Sequence, residues 1–177
     1  MQEIGTFRIS LPSQILRRGF WLYVWRVVRD QSPDLLYVGR TGDNSSPNAS
    51  PPYIRMGQHL GSIKNQNALR QHLCKRGITP EDCQSFELVA HGPIYPEVVK
   101  PENFSHSDSV TKARLMKMHR PIRDIVGAME KRLAGELRSA GYDVLNSVKW
   151  QYDVPEIDWL PVRQAFAADF PKLGGTI

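Results

Sequence analysis

Arg55 and His59 stand four residues apart in the segment PPYIRMGQHL, so on a helix they project from one face about one turn from each other. A fixed cation beside a titratable imidazole suits phosphoryl chemistry. The guanidinium grips a phosphate through two hydrogen bonds, and the imidazole passes a proton near neutral pH. A solvated polar face uses the same residues, so the pair gains weight from what precedes it. That is a pair of tyrosines, Tyr23 in WLYVWRVV and Tyr37 in LLYVGR. Gly39 follows the second tyrosine, and a bulky strand that admits a glycine often does so where another backbone or a ligand comes close.

Glu130 is the acidic counterpart. At 100° per residue it lies roughly 75° from the centre of an apolar helical stripe, beside Val126 and Leu137. A carboxylate at the edge of a core needs an arginine, a lysine or a divalent cation; with few protein ligands and many oxygens the cation would be magnesium. Glu136 also falls near the stripe, so helical position alone does not select Glu130. His72, His91, His106 and His119 show no zinc spacing. Neither a G-x-S-x-G elbow nor a G-x-x-x-x-G-K-[ST] phosphate loop is present, which removes support for hydrolase triads and nucleotide-driven chemistry.

These residues need elements to hold them. The aromatic and β-branched runs Trp21 to Val28 and Leu35 to Arg40 read as strands, and the polar, proline-bearing link between them makes an antiparallel hairpin. Ser50 is the expected cap of a helix Pro51 to Leu60 that stops at Gly61. A second helix, about Gln66 to Arg76, stops at Gly77, and Phe86 to His91 alternates as a third strand ended by Gly92-Pro93. Residues 96–109 are irregular and polar. From Pro121, expected at a helix start, Ile122, Ile125, Val126, Met129, Leu133 and Leu137 share one face until Gly141 closes the helix. A last helix spans about Asp158 to Phe170. The fold class is α/β (α+β): one small domain with a central antiparallel three-stranded sheet flanked by helices.

Composition is that of a soluble globular chain, with 41% apolar, 9% aromatic and 23% charged residues among 177. The balance of 23 Lys plus Arg over 18 Asp plus Glu leaves +5, a charge that attracts phosphate polyanions. Lys112, Arg114, Lys117, Arg120 and Arg123 crowd one stretch and are the candidate contacts to a nucleic-acid backbone, with a solvated helix approach as the other reading. Cys74 and Cys83 match no metal, redox or disulfide spacing and are expected as reduced, buried thiols. No signal peptide or membrane span is legible, and a cytoplasmic location is expected.

In their order these residues resemble the GIY-YIG nuclease family. Trp21-Leu22-Tyr23 stands where the first family motif would be, without its glycine and isoleucine, and Tyr37-Val38-Gly39, extended by Arg40-Thr41, where the second would be. Arg55 and His59 look like the arginine and histidine of the first family helix, Glu130 like the single metal-binding glutamate, and Asn146 like the asparagine after it; the spacing to Asn146 also favours Glu130 over Glu136. The likeness covers about 19–147, leaving 1–18 and 148–177 as additions to the single domain. It implies a metal-dependent endonuclease acting on DNA, most simply double-stranded, with Glu130 holding Mg²⁺ or Mn²⁺. Tyr23, aided by His59 or Tyr37, would help take a proton from water. Arg55 and Arg40 would bind phosphate, with Gly39 and Thr41 beside them, while Asn146 would shape the site. The short chain leans towards a restriction enzyme, with a repair or mobile-element nuclease and an inactive nucleic-acid-binding module as alternatives. A basic protein-interaction domain is the reading in which the ordered motifs are coincidental. A cutter of palindromic DNA would pair as a symmetric dimer, at least on its substrate.

Overall fold

The computed structural model of the chain describes residues 4–175. Two long strands form its centre, β1 (Gly19–Arg29) and β2 (Ser32–Arg40), joined by a tight turn in which Gln31 takes a positive φ of 55°. They pair antiparallel, with Tyr23 opposite Gly39 and Trp25 opposite Tyr37. Both faces are buried. Phe20, Leu22, Val24, Leu36 and Val38 enter one core, while Tyr23, Trp25, Val27, Leu35 and Tyr37 enter the other. That is why the runs read as continuously apolar rather than alternating.

Among the described residues the sheet has four strands, in the order β3-β1-β2-β4, where three were expected. β3 (Ser85–Pro96) lies antiparallel to β1, and the two-residue β4 (Asp143–Val144) lies parallel to β2, making the sheet mixed. A strand of two residues is too short for any hydrophobic period to reveal it. β3 also runs past Gly92-Pro93, where an end was expected. The β1–β3 register shifts between Phe20 and Leu22 and then resumes at Tyr95 and Pro96, so the pairing absorbs the interruption.

Helices α1 (Pro52–Leu60) and α2 (Ala68–Lys75) cover one face of the sheet, and α3 (Ser109–Ser139) and α4 (Glu156–Ala167) cover the other. Ser50 makes no cap; Pro51 holds the cap position with no side-chain bond to the first turn. The larger correction is α3. It begins at Ser109, where the Asp108 carboxylate accepts hydrogen bonds from the Val110 and Thr111 amides, and carries Pro121 in its interior. Pro121 is exposed, and burial of Leu115, Met116 and His119 one turn before it holds the front half in line with the rear. Tertiary packing here outweighs the backbone bond that proline removes. The helix ends as its sequence indicates: Gly141 takes a φ of 84°, its amide bonds to Arg138, and the Tyr142 amide reaches back to Leu137.

Trp159, Val162, Phe166 and Phe170 of the C-terminal segment are buried in the same core as α3 and the central strands. Cys74 is exposed and Cys83 half-buried, not the buried thiols expected, because Cys74 lies on the outer side of α2, opposite Leu69 and Leu73. Among the described residues no helix is long and apolar enough to cross a membrane.

Candidate active site

Tyr23 and Tyr37 point to the α1–α2 face of the sheet, whereas Arg40, two residues beyond Val38, points to the α3 face. The end of β2 therefore separates two sets of side chains, and a cleft of about 550 Å³ wraps around it. Tyr23, Tyr37, Gly39, Arg40, Arg55, His59 and Glu130 all line this cleft, together with Asp43 and Asn44 of the loop after β2. Seven of the expected site residues, drawn from two strands and two helices, thus meet in one place.

Gly39 is required by Tyr23. A Cβ at residue 39 would stand 2.5 Å from the tyrosine ring, so only glycine lets the ring lie across β2. The Tyr23 hydroxyl is then 2.7 Å from His59 Nε2, with both side chains almost fully buried. Burial pushes the Tyr23 phenol well above its ordinary value, as it does that of Tyr37. Burial, and secondarily the Arg55 charge, lower the His59 imidazole to about 4, so the ring is neutral at physiological pH. Among the described residues its Nδ1 has no hydrogen-bond partner, and its ring packs against those of both tyrosines.

Glu130 reaches the cleft from α3. Burial lifts its carboxyl to about 7, against the opposing pull of Arg40, whose Nε lies 3.1 Å from a Glu130 oxygen. The two groups are close without being aligned as a hydrogen bond, and Arg40 Nε stays unpaired in that sense. The other Arg40 nitrogens donate to the Gly42 carbonyl and the Asn44 side chain, and the guanidinium stacks 4.8 Å from the Trp150 ring. Arg55 donates to Asp43 and Gln58, each at 3.0 Å. Asp43 is itself fixed, since Ser46 donates to its second oxygen and His119 Nε2 lies 2.8 Å from its carbonyl.

Thr41, Asn146 and the basic stretch lie outside the cleft lining. Thr41 is fully buried, its hydroxyl donating to the Gly19 carbonyl and accepting from the Trp21 amide, so it ties β2 to β1 and does not face the cleft. Asn146 uses both side-chain groups on the backbone of Val38, accepting from its amide at 3.0 Å and donating to its carbonyl at 2.8 Å. It extends the β2–β4 ladder by one side chain and supports the strand between Tyr37 and Gly39. Of the basic stretch, Arg123 alone comes beside the cleft loop, stacking on Trp150 and reaching the Asn44 carbonyl. Arg114, Lys117 and Arg120 are exposed and Lys112 half-exposed along the front of α3, outside the cleft lining.

Asp43, His119 and Trp150 were not singled out by the sequence. Asp43 sits in a loop without periodicity, and the contacts that bring His119 and Trp150 to it and to Arg40 span long stretches of chain. Trp150 had one signal nearby, Gly127, where a Cβ would run into its indole ring.

The donor set has room for a divalent cation of one kind. Among the described residues no three His, Cys, Asp or Glu side chains converge; Asp43 in the same cleft is taken up by Arg55 and Ser46, so Glu130 is the carboxylate that would hold the ion. Its incompletely compensated carboxylate opens on a polar cleft, which suits Mg²⁺ or Mn²⁺ completed by water and phosphate oxygens. No protein-family model, curated protein or solved structure compared with this chain matches it. The functional reading accordingly rests on these side chains and their geometry.

Proposed function

We propose that the chain is a metal-dependent endonuclease of the GIY-YIG type that hydrolyses phosphodiester bonds in DNA. The observation that carries this reading is the hydrogen-bonded pair Tyr23–His59, open to the same cleft as Glu130, Arg40 and Arg55. Phosphodiester hydrolysis asks for a proton acceptor beside water, cations for the phosphate oxygens and a carboxylate for a metal ion. The cleft holds one group for each need.

In this mechanism the Tyr23 oxygen takes a proton from the attacking water as its own proton passes to His59 Nε2. The imidazole must be neutral with Nδ1 protonated, and its low pKa supplies the neutral form. An anionic substrate in the cleft favours the imidazolium that results, so the transfer becomes easier once DNA is bound. Arg55 leaves or shares Asp43 to hold a phosphate oxygen, and Arg40, steadied by Trp150, presents a second cation. Mg²⁺ or Mn²⁺ held by Glu130 would supply charge neutralisation at the phosphate and stabilisation of the leaving oxygen. Asn146 keeps β2 straight behind the tyrosines, and the exposed cations of α3 add contacts to the DNA backbone.

The test is incubation of the purified protein with supercoiled plasmid and Mg²⁺, beside EDTA and Glu130→Ala controls. Linear or nicked product that disappears in both controls is expected. Tight DNA binding without cleavage under any divalent metal would overturn the nuclease reading and favour an inactive binding module.

A further inference from the structure

Residues 4–12 form neither helix nor strand and are exposed throughout. Ile4 is 99%, Phe7 89% and Ile9 80% exposed, and Leu11 follows at 44%. Single exposed apolar residues are ordinary, but four on one short arm mark a surface that another surface covers. The arm alternates: Phe7, Ile9 and Leu11 would lie on one side of an extended chain, and Thr6, Arg8 and Ser10 on the other.

The sheet has a matching vacancy. Among the described residues β3 is an edge strand that pairs with β1 alone. Its first half, residues 85–90, has no proline and one charge, Glu87, so it lacks the usual guards of an edge. Phe86, Leu88 and Ala90 face the α1–α2 side and are only partly covered, while Val89 and the neighbouring Glu87 belong to the other side. A groove of about 430 Å³ runs between these residues and Ile9 to Ile15 of the same chain, so Ile9 and Leu11 each have one side on the groove while staying largely exposed.

We propose that the arm adds as a strand to β3 of a second copy of this chain, each copy giving its arm to the other's edge about a two-fold axis. The two surfaces match in pattern and in charge. Phe7, Ile9 and Leu11 fall on the side of Phe86, Leu88 and Ala90, and Arg8 falls on the side of Glu87, a carboxylate that Arg26 already orients at 2.9 Å. Every copy carries both halves, so one two-fold exchange satisfies both and closes without forming a filament. Within its own chain the base of the arm, Ile9 to Pro12, rests over the face of β3 beside Phe86, Leu88 and Ala90 and does not pair with the backbone edge of that strand. The Trp21 indole N–H donates to the Arg17 carbonyl and the turn Ser13–Leu16 packs beside α1, so the arm leaves from the face of the sheet, while Gly19 is already paired with Pro96 at the end of β3. This inference does not depend on the reading of the cleft.

Sedimentation equilibrium of the full chain across a wide concentration range tests it. A reversible monomer–dimer equilibrium is expected, weakened at least about tenfold by Phe7→Asp with Ile9→Asp. Because the arm is exposed in the single chain, that variant keeps the wild-type circular dichroism and melting temperature. Arg8→Glu should weaken the dimer, and adding Glu87→Lys to it should restore part of the loss. A wild-type chain that stays monomeric throughout would overturn the proposal, leaving the arm to pair within its own chain or with another partner. So would an arm variant that dimerises as well as the wild type.

Discussion

Tyr23 does two things, presenting a hydroxyl to the cleft and filling the space above Gly39, and two substitutions separate them. Tyr23→Phe keeps the ring and removes the proton relay. It should lower single-turnover cleavage by about 10²–10⁴-fold while leaving DNA affinity unchanged. Gly39→Ala keeps the hydroxyl but drives a methyl into the ring, so it should show a similar rate loss together with a lower melting temperature. A Tyr23→Phe protein that cuts at the wild-type rate would remove the phenol from the mechanism. Arg55→Ala should cost about 2–4 kcal/mol of transition-state stabilisation if the guanidinium meets the developing phosphate charge. Since Asp43 aims that guanidinium through the 3.0 Å contact, Asp43→Ala should lose part of the same energy and add little in the double variant. Full additivity in the rates would show that Asp43 and Arg55 act separately.

Among the elements, β2 depends most on a residue outside it. Asn146→Ala strips the Val38 amide and carbonyl of their partners in a buried setting, at about 1–3 kcal/mol for each group. Thermal melting should therefore show a fall of several degrees or more, at roughly 2–4 °C per kcal/mol for a chain of this size. An unchanged melting temperature would mean that water replaces the side chain there. What the sequence revealed of these elements follows from how each is held. The hairpin is legible because aromatic and β-branched residues crowd strands buried on both faces. The rear of α3 is legible because its apolar residues recur on one face up to Gly141. β4 escaped notice because its ladder is completed by a side chain, and the front of α3 because Pro121 looks like a start when the packing of Leu115, Met116 and His119 is unseen. Tyr23, Gly39, Arg55 and His59 could be picked out by type and spacing, and Glu130 over Glu136 only through the family resemblance. Asp43 and Trp150 could not, because their roles come from where loops return to the cleft.

For the molecule as a whole, the cleft sets two opposing pH dependences of stability. Buried Glu130, raised to about 7, keeps a proton that the unfolded chain has released above its ordinary value of about 4.5. Between those values the folded state binds more protons, so this group makes stability fall as pH rises. His59 acts in the other direction. Its folded value of about 4 lies below the ordinary 6.5, so the unfolded chain takes up the extra proton and stability falls as pH drops through that window. Over the range from about 4.5 to 6.5 the two slopes offset each other in the wild type. Glu130→Gln removes one of them. Leaving Arg40 without its carboxylate adds a cost that does not vary with pH, so the diagnostic quantity is the difference between variant and wild type. Measured by chemical unfolding in EDTA, that difference should move in favour of the variant from pH 5 to pH 8, by up to about 3 kcal/mol. A difference that stays level across this range would mean that Glu130 titrates as an ordinary carboxyl and that the cleft does not hold it under-compensated.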